Sequence, residues 1–101
     1  MSRYRKLKTA RVLEAEKVEK ADKLLKLQID LGSEKRQIVA GIAQHYSPED
    51  MIGKNLVIVS NLQPATIRGI ESNGMLLAAQ SGKKLVLITT DDDIPPGADI
   101  S

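Results

Sequence analysis

A chain of 101 residues, 42% apolar and 28% charged, has the size and composition of one compact globular domain. It holds no cysteine and a single histidine, His45, which excludes disulfides, thiolate metal sites and thiol nucleophiles and leaves no zinc site. The formal net charge is only +2, but Arg3, Arg5, Lys6, Lys8 and Arg11 crowd the start while Asp91, Asp92, Asp93 and Asp99 crowd the end.

This polarity predicts a basic and an acidic pole if the fold keeps the termini apart. The basic cluster reads either as a contact for nucleic-acid backbone or as a solvated tail. No apolar run approaches the roughly 20 residues that span a bilayer, and no signal peptide heads the chain, so a cytoplasmic location and no membrane partner are expected.

From Arg11 to Lys23 two patterns compete. Val18, Ala21, Leu24 and Leu25 fall at helical spacing, with Glu16 and Lys20, and Glu19 and Lys23, as i,i+4 pairs. From Leu25 the period changes to two: Leu25, Leu27, Ile29 and Leu31 alternate with Lys26, Gln28 and Asp30, a half-buried strand. Gly32, Ser33 and Glu34 supply a turn, and Lys35 to Ile42 returns as a second strand, completing a hairpin.

Ser47 is placed to cap a helix, Pro48 suits its first position, Glu49 and Asp50 complement its positive end and Gly53 permits a left-handed exit. A helix of little more than one turn fits there. Leu56 to Val59 is a continuous apolar strand. Met75 to Ala79 and Leu85 to Thr90 are further strand candidates around a Ser81-Gly82 turn, and Asp91 to Ser101, with Pro95, Pro96 and Gly97, reads as an irregular tail laid across a partner. The order predicts an all-β fold, a small OB-type barrel with a short helix between its third and fourth strands.

Phe and Trp are absent, leaving Tyr4 and Tyr46 as the aromatic residues. A platform for stacking single-stranded bases is therefore missing.

Three stretches carry a resemblance. They are Ala21-Asp22-Lys23-Leu24 running into Asp30-Leu31-Gly32; Arg36 to Ala43 followed by Tyr46-Ser47-Pro48-Glu49-Asp50 and Gly53-Lys54; and Asn61-Leu62-Gln63-Pro64, Arg68-Gly69 and Glu71 to Ala79. In order and spacing, over roughly residues 9 to 100, they resemble the tRNA-binding domain at the C-terminus of many bacterial methionyl-tRNA synthetases. The same domain occurs in standalone dimeric tRNA-binding proteins and in chaperone-like homologues. The resemblance implies an OB-fold domain over residues 9–101 behind a basic leader, residues 1–8. It further implies a homodimer that recognises the outer corner of tRNA with little sequence preference, and it settles the 11–23 stretch in favour of strand then loop.

It also places the binding face on the segment from Asn61 to Met75. Asn61, Arg68, Ser72 and Met75 match the family pattern. Arg68 is suited to a phosphate, Asn61 and Ser72 to phosphate or 2′-hydroxyl oxygens, Met75 to an apolar contact, and Gly69 and Gly74 to close backbone approach. Against this stand a turn-forming role for Asn61 and a core role for Met75. Lys23, Lys35 and Arg36 are expected to extend the basic surface. Gln63 and Thr66 stand where relatives often carry a base, which predicts a weaker grip.

No nucleophile with its base and no phosphate loop accompanies His45, and Asp91 to Asp93 read as a solvated turn. The chain is expected to be non-catalytic, without cofactor or metal, attached to the catalytic part of a methionyl-tRNA synthetase. The alternative is a standalone homodimer that binds tRNA or, chaperone-like, binds peptides.

Overall fold

The computed structural model describes residues 6–101. Arg3, Arg5 and most of the leader lie outside the described residues. Nine strands and one short helix follow in chain order: β1 (Leu7–Val18), β2 (Ala21–Asp30), β3 (Lys35–Ala40), α1 (Pro48–Met51), β4 (Asn55–Val59), β5 (Ala65–Ile67), β6 (Ile70–Ser72), β7 (Met75–Leu76), β8 (Ala78–Ser81) and β9 (Lys84–Leu87). Leu7 and Lys8, placed in the leader from sequence, belong to the first strand.

The main sheet has the order β3-β2-β1-β4-β7, with β5-β6 and β8-β9 as separate hairpins. Long β1 serves two neighbours. Leu7 to Arg11 pairs with β4, and Arg11 to Val18 pairs with β2, with a register break between Val12 and Glu14 where the strand changes partner. The free edge of β3 meets β6 and the residue after it: Asn73 N–H donates to the Gln37 carbonyl at 2.8 Å, and the Gln37 side-chain amide donates to the Glu71 carbonyl at 2.8 Å. Those bonds close the sheet into an OB-type barrel.

The alternation read in Leu25, Leu27 and Ile29 points all three inward, against Ile38 and Ala40 of β3, Leu56 and Ile58 of β4, and Val12 of β1. Met51, on α1, fills the same core. Its helix starts as its sequence dictates, Ser47 Oγ accepting from Asp50 N–H at 3.4 Å with Pro48 in the first turn, and the chain leaves through Gly53 at φ +86°. Truncating a fully buried Leu or Ile of this core to alanine removes about 2–5 kcal/mol of stability.

The helical pattern between Arg11 and Lys23 is not used. Backbone groups from Arg11 to Val18 pair instead with β2, and Glu16, instead of reaching Lys20, pairs across the sheet with Lys26 at 2.7 Å. The expected loop shrinks to a turn at Glu19-Lys20, so β2 opens at Ala21 rather than Leu25. β3 ends at Ala40, two residues early, because Ile42 N–H folds back onto the Ala40 carbonyl at 3.0 Å. The 75–79 candidate is split into β7 and β8, and the β5-β6 hairpin has no counterpart in the expected elements.

The tail corrects two expectations. It is irregular, but it lies along its own β1. Gly97 N–H donates to the Thr9 carbonyl at 2.7 Å, Thr9 N–H to the Ala98 carbonyl at 2.9 Å and Ile100 N–H to the Leu7 carbonyl at 3.1 Å. The part of β1 that β2 leaves unpaired is thereby covered. The two poles are also not kept apart, since Lys8 meets Asp99 at 2.9 Å and Arg11 meets Asp93 at 2.7 Å.

Candidate nucleic-acid interface

The register of β1 with β2 slips near their turn: Lys17 faces Leu25, yet Val18 faces Ala21. Asp22, Lys23 and Leu24 are thus thrown out of the ladder as a wide bulge, a device that re-aims side chains at the end of a hairpin. The Lys23 carbonyl is anchored by Ala43 N–H at 3.0 Å, while its side chain is exposed. Opposite, Ile67 pairs with Ile70, so Arg68 and Gly69 form a two-residue turn with φ of +54° and +79°, as the tight primed turn requires.

These features meet. Lys23 and Arg68 rim one open hollow of about 460 Å³, joined by Lys20 from the β1-β2 turn, with Leu24 and Ile67 as apolar lining and Asp22 as the lone acid. Ion pairs among the described residues engage Lys8, Arg11, Lys26 and Arg36, and none of these three cations. Their charge faces solvent and is available to an anion.

Other residues singled out by sequence are placed differently. Ser72 is 3% exposed, and its hydroxyl accepts from Val39 N–H at 2.9 Å and donates to the Gly74 carbonyl at 3.2 Å. It pins the β6-β7 connection to β3. Gly74, at φ +122°, is buried; a Cβ there would stand 3.2 Å from the Val59 carbonyl oxygen, so its backbone approaches the barrel's own wall. A Cβ added at Gly69 would meet nothing within 4 Å, so the glycine serves the left-handed φ of the turn, not a close approach.

Asn61 Oδ1 accepts from Lys6 N–H at 2.8 Å, tying the exit of β4 to the start of β1. Met75 is exposed at the head of β7, paired with Val59. Arg36 is only 16% exposed, bonded to Glu34 at 2.8 Å and to the Ser60 carbonyl. Its guanidinium holds the Glu34 carboxyl below the usual range, chiefly by hydrogen bonding. Lys35 is exposed opposite Asp30, at the far end of β2 from Lys23. Of the seven side chains proposed from sequence, Lys23 and Arg68 share a hollow, whereas Ser72, Arg36 and Asn61 bond within the barrel.

Lys20 was not among the residues expected from sequence. Between Glu19 and Ala21 it looks like one member of a helical ion pair, and only the turn's geometry sets it beside Arg68. Among the described residues no three His, Cys, Asp or Glu side chains are grouped to hold a metal. His45 is exposed, and Asp93 is taken up by Arg11 and Asn55.

Solvent-facing cations around a partly apolar hollow, carried on a closed barrel, suit an anionic partner. Comparison with known proteins narrows this. The family model described as a putative tRNA binding domain matches residues 7–99, and the chain belongs to that family. It is 63% identical over 95 residues to a methionine–tRNA ligase of Thermotoga maritima, covering 94% of this chain and 15% of the ligase. The chain thus spans about one seventh of the length of the curated relatives it matches.

Among solved structures, a protein described as related to methionyl-tRNA synthetase, from Pyrococcus horikoshii, superposes with a TM-score of 0.90 at 38% identity, covering all of both chains. The chaperone CsaA of Bacillus anthracis gives 0.88 at 30% identity, covering 96% of this chain and 90% of that one.

Proposed function

We propose that this domain binds tRNA without chemistry of its own, recognising the folded outer corner by shape, as an appended part of a methionyl-tRNA synthetase. The observation that carries the reading is the family match over residues 7–99, joined to high identity with a segment of methionine–tRNA ligases. The geometry agrees: the aromatic stacking surface that unstructured strands need is missing from the composition, while solvent-facing cations suit phosphates held at fixed spacing. Tethering such a barrel to the enzyme raises the local concentration of tRNA without new base contacts. No helix among the described residues is long and apolar enough to cross a membrane, and a cytoplasmic site of action accords with a tRNA partner.

The site residues of this reading are Lys23, Arg68, Lys35, Met75 and Asn61 at the surface, with Ser72, Arg36, Gly69 and Gly74 shaping the backbone that presents them. Two copies pair in this reading through the outer face of the β8-β9 hairpin. There Ala79 opposes Val86, and Val86 and Ile88 remain 42% and 40% exposed. Sedimentation velocity of the chain at micromolar concentration tests the pairing: a dimer that Val86→Asp dissociates is expected, and a monomeric parent refutes it.

For RNA binding, titration at low salt should favour folded tRNA over an unstructured RNA of equal length. Equal affinity for both would sink the proposal. The alternative, a chaperone-like homodimer, finds its support in the likeness to CsaA. It requires retained binding to unfolded polypeptide by a chain that ignores tRNA.

A further inference from the structure

Two non-glycine residues among those described have a left-handed backbone, Lys20 at φ +63° and Arg68 at φ +54°. Both are cations, both sit in hairpin turns, and both line the same hollow. Left-handed φ at a side-chain-bearing residue is disfavoured, and the remaining positive-φ positions are all glycine. At neither turn does a tertiary bond account for the side chain, because neither residue takes part in the ion pairs of the described residues. Folding would be served as well or better by glycine at both positions. A strained position occupied by a charged side chain points to work done by that side chain.

The surroundings say what it would hold. Lys20, Lys23 and Arg68 outnumber Asp22, so the rim attracts an anion; Leu24 and Ile67 offer an apolar surface beside it. One nucleotide has this combination, a phosphate joined to a sugar with a weakly polar face. The β2 bulge is fixed by the bond to its Lys23 carbonyl and the Arg68 turn by the β5-β6 ladder, so the rim is preorganised.

We propose that Lys20, with Lys23 and Arg68, forms a phosphate clamp for one nucleotide of the bound RNA backbone, and that its left-handed conformation is kept for that contact. This rests on the tRNA-binding reading above and adds to it a residue and a subsite.

The test uses the whole chain carrying Lys20→Gly, Lys20→Asn and Asp22→Asn, with tRNA affinity measured between 50 and 200 mM salt alongside thermal melts. Glycine and asparagine both accept left-handed φ, so each variant should melt at or above the parent temperature. Each should also bind tRNA more weakly. With one phosphate fewer neutralised, the fall in affinity over that salt range should be about three-fold smaller than the parent's. Asp22→Asn should bind more tightly than the parent.

Parental affinity and salt dependence in both Lys20 variants, while the parent binds tRNA normally, would overturn the clamp and leave the tRNA reading standing. A parent that does not bind tRNA overturns both. Arg68→Gly provides the second arm, with the same signature of preserved melting and reduced salt dependence.

Discussion

Replacing Gly97 by alanine should separate the C-terminal strap from the barrel. At φ +87° an added Cβ would collide with the Leu31 carbonyl oxygen and lie 3.1 Å from its carbon, with Gly32 Cα 3.6 Å away. No rotamer change relieves a clash with backbone. Left-handed φ adds about 1–2 kcal/mol for a residue with a Cβ. The chain's cheapest response is to undock the strap, which loses three backbone hydrogen bonds to β1 and the two made by Thr9, whose Oγ1 donates to the Pro95 carbonyl at 3.0 Å and accepts from Ala98 N–H at 2.9 Å. At a net ~0.5–1.5 kcal/mol each, a figure that already counts the bonds regained to water, the domain should be weakened by at least about 3 kcal/mol. For a domain of this length that lowers Tm by roughly 10–20 °C. Thermal unfolding by circular dichroism measures it, and hydrogen exchange at Thr9 and Ile100 N–H locates it. A variant melting within about 2 °C of the parent, with both amides still protected, would refute the account of how the strap is held.

Ser72→Ala should lower stability by about 1–3 kcal/mol at unchanged denaturant m-value, because Val39 N–H is left buried without an acceptor; a chemical-denaturation curve matching the parent's would contradict that. Acid should loosen both the strap and the β2-β3 turn. Lys8 lowers the Asp99 carboxyl and Arg36 the Glu34 carboxyl, so both groups stabilise the fold above their unfolded values and lose that contribution as the pH falls through their lowered folded values. A Tm series from neutral pH downward should show the decline, and Asp99→Asn with Glu34→Gln should flatten it. Thr9→Val, which keeps shape and removes the hydroxyl, should reproduce part of the Gly97→Ala loss in the same melt.

The barrel was legible where one period dominates. Leu25, Leu27 and Ile29 alternate against charged neighbours, and Ser47-Pro48 with Gly53 brackets a helix with local chemistry at both ends, so those elements stand where the pattern puts them. Legibility failed where the deciding partner is distant in sequence. Glu16 has Lys20 four residues on and Lys26 across the sheet, and only the second exists after β1 and β2 pair. β5 and β6 are three residues each, too short to show a period, and are set by the Arg68-Gly69 turn. The tail's place depends on two glycines meeting, Gly32 and Gly97, whose backbones pack too closely for any side chain.

The same distance rule governs the candidate site. Side-chain type in a matched stretch says that Ser72 and Arg68 belong together, but not which one faces outward. The barrel answers through its unpaired backbone. β3 has an edge to satisfy, and Ser72 Oγ reaches Val39 N–H while Asn73 N–H reaches Gln37, so the 71–74 segment is consumed in closure. Closure in turn carries the β5-β6 hairpin to the β1-β2 turn and brings Arg68 to Lys20 and Lys23. A buried hydroxyl and an exposed guanidinium four residues apart thus serve one end: the first fixes the hairpin whose tip the second occupies. Ser72→Ala should therefore reduce tRNA affinity without touching the RNA, and should do so at unchanged salt dependence, whereas Arg68→Gly should lower the salt dependence itself. Parallel salt titrations of the two variants decide the assignment, and a flattened slope for Ser72→Ala would place its hydroxyl on a phosphate instead of on Val39.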